Sequence, residues 1–231
     1  MWKEDAFMEE VFIKKRFSGE LALILGIVIN SFSVALFLKS NAGMSTISLT
    51  SYILNLVFPV LTIGTWNYLI QWIMIGALIL ILRKVKVGYL LSFVLAIIFG
   101  TLLDFFHVCL QGLPDGIGFR IFYFIFAFSM CAIGTTFLIR CKIPVLPSDT
   151  FMRDVSNYFH TTIKMVKTPF DVFCLILSAV LGFLYTGEFP GIGIGTVINA
   201  FFGGISVSFV SSILDRYFYF EPTVKFLGKL S

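Results

Sequence analysis

Long apolar stretches with almost no charge constrain this chain more strongly than any motif. They lie at about residues 17–38, 62–82, 88–110, 119–140, 169–186 and 192–214. A helix of roughly 20 apolar residues crosses the hydrocarbon core of a bilayer, and a helix satisfies all of its backbone polar groups internally. The sequence therefore predicts an all-α membrane protein with six transmembrane helices.

Composition excludes the alternative of a soluble domain. Only 13% of the residues are charged, against about a quarter in a typical soluble domain. The lipid bilayer is therefore the expected surroundings, and no basic-aromatic motif indicates nucleic acid. The four cysteines lack CxxC spacing, so neither a metal nor another cofactor is expected.

Two further stretches are apolar but too short and too polar to cross a membrane comfortably. They are Ser45–Val57, between the first and second spans, and Ser148–His160, between the fourth and fifth. We interpret each as a short broken or re-entrant helix that does not cross. This interpretation fixes which loops share a side of the membrane.

The distribution of basic residues supports the six-span arrangement. Of the 17 Lys and Arg residues, all but Lys39 and Arg120 fall in segments that this arrangement places on one side. Cytoplasmic loops collect Lys and Arg, so both termini are predicted to be cytoplasmic, in a bacterial plasma membrane. The predicted divisions are a cytoplasmic N-terminal segment, two membrane repeats and a cytoplasmic tail, at residues 1–16, 17–110, 119–216 and 217–231.

The two halves of the chain share an order: a long span, a broken loop, a short helix and two more spans. The loops at residues 41–46 and 141–147 correspond, about 100 residues apart. Each half has an odd number of crossings, so the second copy enters from the opposite side, as an inverted repeat. Inverted repeats with interrupted helices are typical of secondary transporters. The alternative is a repeat that is kept only for the symmetry of its packing.

Short motifs in these halves resemble a known family. The second half carries Pro147, Asp149 and the pair at residues 195–196, and the first carries Gly43 with Thr46 and Ser48 where Pro and Asp would stand. The pattern is similar to that of the YczE/YitT-like bacterial integral membrane proteins, over nearly the whole chain. Lys167 and Asp171 stand where that family more usually has Arg and Glu. The resemblance implies a fold and a membrane location, but little mechanism.

Candidate binding residues follow from the broken loops and the polar positions in the spans. Asp149 is the leading candidate, because it follows Pro147 where a short helix begins; its alternative role is a helix N-cap. Lys167 and Asp171 have the spacing of a helical ion pair, and uncharged polar residues in spans are usually interhelical hydrogen bonders. The predicted substrate-binding set is Asn30, Asn41, Gly43, Pro147, Asp149, Lys167, Asp171 and Asn199.

Asp104 and His107 share one face of the third span, so they are candidates for an ion or proton relay; an interfacial hydrogen-bonded pair is the alternative. The predicted function is transport of a small molecule or ion of unknown identity. The alternatives are a binding subunit of a larger transporter and a membrane protein that supports a partner complex. No enzyme motif is present, so catalysis is not expected, whereas a homodimer is compatible with the apolar exterior.

Overall fold

The computed structural model describes residues 15–161 and 163–223. Within these residues the chain is almost entirely helical, with one short pair of strands. The elements are β1 (Lys15–Ser18), α1 (Gly19–Ser40), α2 (Thr46–Val57), α3 (Ile63–Leu82), α4 (Val87–Leu110), α5 (Ile117–Arg140), α6 (Pro147–Tyr158), α7 (Ile163–Thr186), α8 (Ile194–Tyr217) and β2 (Phe218–Glu221).

Five helical segments among the described residues are long and apolar enough to cross a membrane. They are α1, α3, α4, α5 and the Thr168–Thr186 part of α7. Many of their large apolar side chains face outward, as a lipid-facing surface requires. A polytopic membrane protein is therefore confirmed. The sixth predicted span corresponds to the 24-residue α8, and its crossing stays a prediction.

The centre of the bundle is the pairing of α1 with α5, the first helix of each half. Gly26 faces the side chain of Leu138, so no Cβ holds the two helices apart. The hydroxyl of Ser33 donates to the carbonyl of Ala127 at 2.8 Å. The close contact at Gly26 and the buried hydrogen bond of Ser33 join α1 to α5. The other helices pack around this pair.

Each short helix packs on a long helix of the other half of the chain. α2 packs on α7, and α6 packs on α3. Contacts along α2 follow the order of α7, from Thr46 with Asp171 to Thr50 with Ser178, so the two helices run in parallel. α6 runs instead towards the start of α4, where Asp154 meets Lys86. The short helices therefore begin inside the bundle and run outwards in opposite directions.

A parallel pair of four-residue strands joins the two ends of the described chain, which the sequence did not predict. β1 directly precedes α1 and β2 directly follows α8, with Lys15 opposite Phe218. The ring of Phe17 packs against Phe220, at 5.3 Å between centroids, and stacks on Phe137 of α5 at 5.6 Å. The strands therefore attach the cytoplasmic ends predicted for α1 and α8 to each other.

Candidate binding cavity

A cavity of about 420 Å³ lies in the middle of the bundle. All eight helices border it through side chains or through the residues before their first turns, with Asp171 as the contribution of α7. Its polar and charged lining includes Asn30, Ser45, Thr46, Ser48, Asn67, Gln71, Thr135, Lys142, Ser148, Asp149, Arg153, Asp171, Thr196, Asn199 and Ser206. Such a volume is typical of a small-molecule site.

Both short helices start at this cavity. Ser45 precedes the first turn of α2 and Leu146 precedes that of α6, and neither side chain caps the helix. The first N–H groups of a helix have no partner within the helix, and the helix dipole makes that end positive. The two starts therefore bring first-turn backbone N–H groups to the same space from the two halves of the chain, although Pro147, the first residue of α6, has no N–H.

Amide side chains on three helices add unsatisfied groups to the cavity wall. Gln71 is only 2% exposed; its Nε2 donates to Asn67 Oδ1 at 2.6 Å. Within the described residues, Gln71 Oε1, Asn30 Oδ1 and Asn199 Nδ2 have no hydrogen-bond partner. A buried polar atom without a partner loses about 1–3 kcal/mol of solvation. A polar ligand in the cavity can therefore form hydrogen bonds with these atoms.

Two predicted carboxylates lie at the starts of the short helices. Asp171 accepts a hydrogen bond of 2.6 Å from the hydroxyl of Thr46, the first residue of α2. Asp149 is the third residue of α6 rather than its N-cap, a position that Leu146 occupies. Lys167, the proposed partner of Asp171, has a side chain that lies outside the described part of the structure. The cavity therefore contains Asp149 and Asp171, and the ion pair stays a prediction.

A buried ionic network holds α6 beside the cavity. Asp154 is 5% exposed, and its carboxylate accepts from Lys86 Nζ and Tyr89 OH, each at 2.9 Å. Arg153, which borders the cavity, reaches the other oxygen at 3.1 Å. Burial alone would raise the pKa of Asp154, but these hydrogen bonds and charges outweigh it and lower that pKa. The sequence offered no signal for this cluster, because its members come together only in the folded chain.

The remaining predicted residues lie around the cavity rather than on its wall. The loop that contains Asn41 and Gly43 is attached to α8, since Gly195 N–H donates to the carbonyl of Ala42 at 2.8 Å. The loop before Pro147 is attached to α4, where Ser92 donates to the carbonyl of Val145 at 2.6 Å. Each broken loop is thus fixed by the last helix of the other half.

Asp104 stabilises the start of α3. Its two oxygens accept from Gly64 N–H at 2.8 Å and from the hydroxyl of Thr62 at 2.6 Å. Neither Asp104 nor His107 is among the described residues that border the cavity. These contacts give Asp104 a capping role, and a relay with His107 stays a prediction.

A native thiol offers a test of whether the cavity is wet. Cys131 borders the cavity, whereas Ser129 lies two residues away on the exposed face of the same helix. In a Cys109→Ser background, we expect a small charged thiol reagent to modify Cys131 in membranes. Cys109→Ser/Cys131→Ser/Ser129→Cys, which moves the thiol to the outer face, should react at least about tenfold more slowly, because thiolate formation is suppressed in apolar surroundings. Mass spectrometry measures both, and equal rates would contradict a water-filled cavity.

The helices and cavity define the class: a polytopic α-helical membrane protein with a polar space inside the bundle. The chain belongs to a family of unknown function (DUF6198), whose model matches residues 17–212. It is similar to the Uncharacterized protein YyaS of Bacillus subtilis (strain 168), with 25% identity over 197 residues, or 84% of this chain and 92% of that protein. No solved structure matches the chain. An uncharacterised family agrees with the resemblance drawn from the motifs, and the YczE/YitT assignment itself stays a prediction.

Proposed function

We propose that the protein is a membrane carrier that binds one small polar solute in the central cavity and exposes it alternately to the two sides. The observation that carries the proposal is the meeting of two oppositely directed short helices, both uncapped, at a cavity with unsatisfied amides. Interrupted helices that end at a polar site inside a bundle are the binding elements of many secondary transporters. Asp149, Asp171, Asn30 and Asn199 are the proposed binding residues.

The packing of the halves supports an inverted repeat. α2 lies on α7 while α6 lies on α3, and each broken loop bonds to the last helix of the opposite half. A twofold axis within the membrane plane would relate the contact of α2 with α7 to the contact of α6 with α3. In this proposal α8 is the sixth crossing helix, both termini are cytoplasmic and the host membrane is the bacterial plasma membrane. The two halves then move against each other around the cavity.

The same cavity also suits a second function. A binding subunit of a larger transporter needs the solute site but not a complete transport cycle. Among the described residues, α8 packs mainly on α5 and β2, which leaves much of its apolar surface exposed. In the subunit function, this surface of α8 contacts a helix of the partner. Reconstitution of the purified chain separates the two functions.

The experiment is a ligand screen followed by transport. A solute that binds in the cavity should raise the melting temperature of the wild type, because it binds only the folded state. It should have little effect on Asp149→Asn, which removes a charge from the cavity wall. Asp115→Asn is the matched control, since the Asp115 side chain is 67% exposed and is not among the described residues that border the cavity. This variant should respond like the wild type.

Liposomes containing the purified protein then decide between the alternatives. Saturable uptake of the stabilising solute, absent with Asp149→Asn and present with Asp115→Asn, is the result expected of a carrier. Binding without uptake would favour the subunit function. A solute that stabilises wild type and Asp149→Asn equally would place its site elsewhere and contradict the proposal.

A further inference from the structure

The described side chains of the cavity wall carry charges of both signs. Among the described side chains that border the cavity, the ionisable ones of Lys and Arg are Lys142 and Arg153, and those of Asp are Asp149 and Asp171. Two positive and two negative groups leave no formal net charge. A ligand that carries both a positive and a negative group can pair with both kinds of charge on this wall, whereas a ligand with a single charge can pair with one kind only.

The wall also offers both hydrogen-bond acceptors and hydrogen-bond donors. Gln71 Oε1 and Asn30 Oδ1 are acceptors without a hydrogen-bond partner among the described residues. Asn199 Nδ2 is a donor that also has no partner among them. The uncapped starts of α2 and α6 add backbone donors and a positive dipole end. A ligand that satisfies both sets needs a strong donor group and an anionic acceptor group.

Opposite groups also lie close together on the wall. Asp171 Oδ1 is 2.6 Å from the hydroxyl of Thr46, so a carboxylate stands directly beside the positive start of α2. Asp149 likewise occupies the first turn of α6. A matching ligand therefore carries its positive and negative groups a short distance apart, as an α-amino acid does, with one carbon between its ammonium and carboxylate groups.

We propose that the cavity binds a small zwitterion of the α-amino acid class. The carboxylate of the ligand faces the starts of the short helices and Asn199 Nδ2, and its ammonium group faces Asp171 and the amide oxygens of Gln71 and Asn30. This assignment rests on the proposed carrier function for its physiological meaning, but the binding site can be tested by itself. A cavity of about 420 Å³ accommodates a molecule of this size.

The test measures the melting temperature of the full-length wild type with each of the common L-amino acids. The best ligand is then compared with its carboxamide, which is a cation, and with its N-acetyl derivative, which is an anion. We expect both analogues to bind at least about tenfold more weakly, since each lacks one charge-assisted contact. No shift with any amino acid, or an analogue that binds as tightly as its parent, would overturn the assignment.

A variant identifies the ammonium side of the site. Asp171→Asn should weaken the parent amino acid by about tenfold or more and the N-acetyl analogue much less, because only the parent has an ammonium group to lose its partner. An equal loss for both ligands would overturn the assigned orientation. Asp115→Asn should change neither affinity. The comparison of analogues uses only the wild type, so it does not depend on the folding of this variant.

Transport experiments keep this inference separate from the carrier function. If amino acids bind but liposomes containing the protein take none up, carrier function fails and the zwitterion site stands. If the liposomes take up a sugar or an inorganic ion and no amino acid binds, carrier function stands and the zwitterion site is overturned.

Discussion

Asp154→Asn should lower the free energy of unfolding by about 3 kcal/mol, the lower end of the range for removing one partner of a buried ion pair. The carboxylate is 5% exposed and bound by Lys86, Tyr89 and Arg153, so the amide leaves two cations facing a neutral group. The lower end applies because both cations partly reach solvent. Denaturation of the purified protein in detergent measures the loss.

The control for this substitution is Asp115→Asn, the same chemical change in a carboxylate that is 67% exposed; its partner Lys39 also donates to the carbonyl of Gln111. Because solvent reaches most of the Asp115 side chain, this pair should contribute about 0–1 kcal/mol, so the control should be close to wild type. Equal destabilisation by the two variants would show that the network around Asp154 does not hold α6 in place.

Acid should reduce the difference between Asp154→Asn and the wild type. The pKa of Asp154 is lowered in the folded state by its hydrogen bonds and neighbouring charges, which outweigh the effect of burial. A lowered folded pKa stabilises the protein above the unfolded pKa, and this contribution is lost as the pH falls through the folded value. Melting temperatures of both proteins should therefore converge on acidification and remain apart at neutral pH.

Gly43→Ala should have an effect of similar size for a different reason. Gly43 has a φ of 135° and lies so close to α8 that a Cβ would fall on the backbone nitrogen of Thr196. Backbone strain and overpacking, each about 1–3 kcal/mol, should together destabilise the protein by about 3 kcal/mol. The start of α8 must also shift, which moves Asn199 on the cavity wall. We therefore expect a lower melting temperature and weaker solute binding.

Gly76→Ala is the matched control for that change. Gly76 lies within α3, and a Cβ there would meet no heavy atom within 4 Å. Alanine favours a helix over glycine by about 1 kcal/mol, so Gly76→Ala should be neutral or slightly stabilising. If both glycine variants behave alike, the loop at Gly43 is not held against α8 as the structure shows.

Helix positions could be predicted closely from the sequence, because apolar length is set by the membrane rather than by details of packing. The first predicted span, residues 17–38, corresponds to Gly19–Ser40, and the second short helix, Ser148–His160, corresponds to Pro147–Tyr158. Pro147 marks the start of α6 because proline suits the first turn of a helix. Such local signals survive without knowledge of the tertiary contacts.

The candidate site was predictable only in part. Asn30, Asp149, Asp171 and Asn199 border the cavity, since polar residues inside apolar spans must face a polar interior. The unsatisfied oxygen of Gln71 depends on how its amide turns towards Asn67, which no spacing reveals. The four-residue strands escaped prediction because their pairing joins distant positions.

The pairing of β1 with β2 limits when the two strands can pair during synthesis of the chain. Lys15 is made before every described helix, but its partner Phe218 is made 203 residues later, which at about 5–20 residues per second means a delay of roughly 10–40 s. Every described helix is synthesised within that interval. The first strand can therefore pair only after every described helix is made, so a formed strand pair shows that synthesis has passed residue 221.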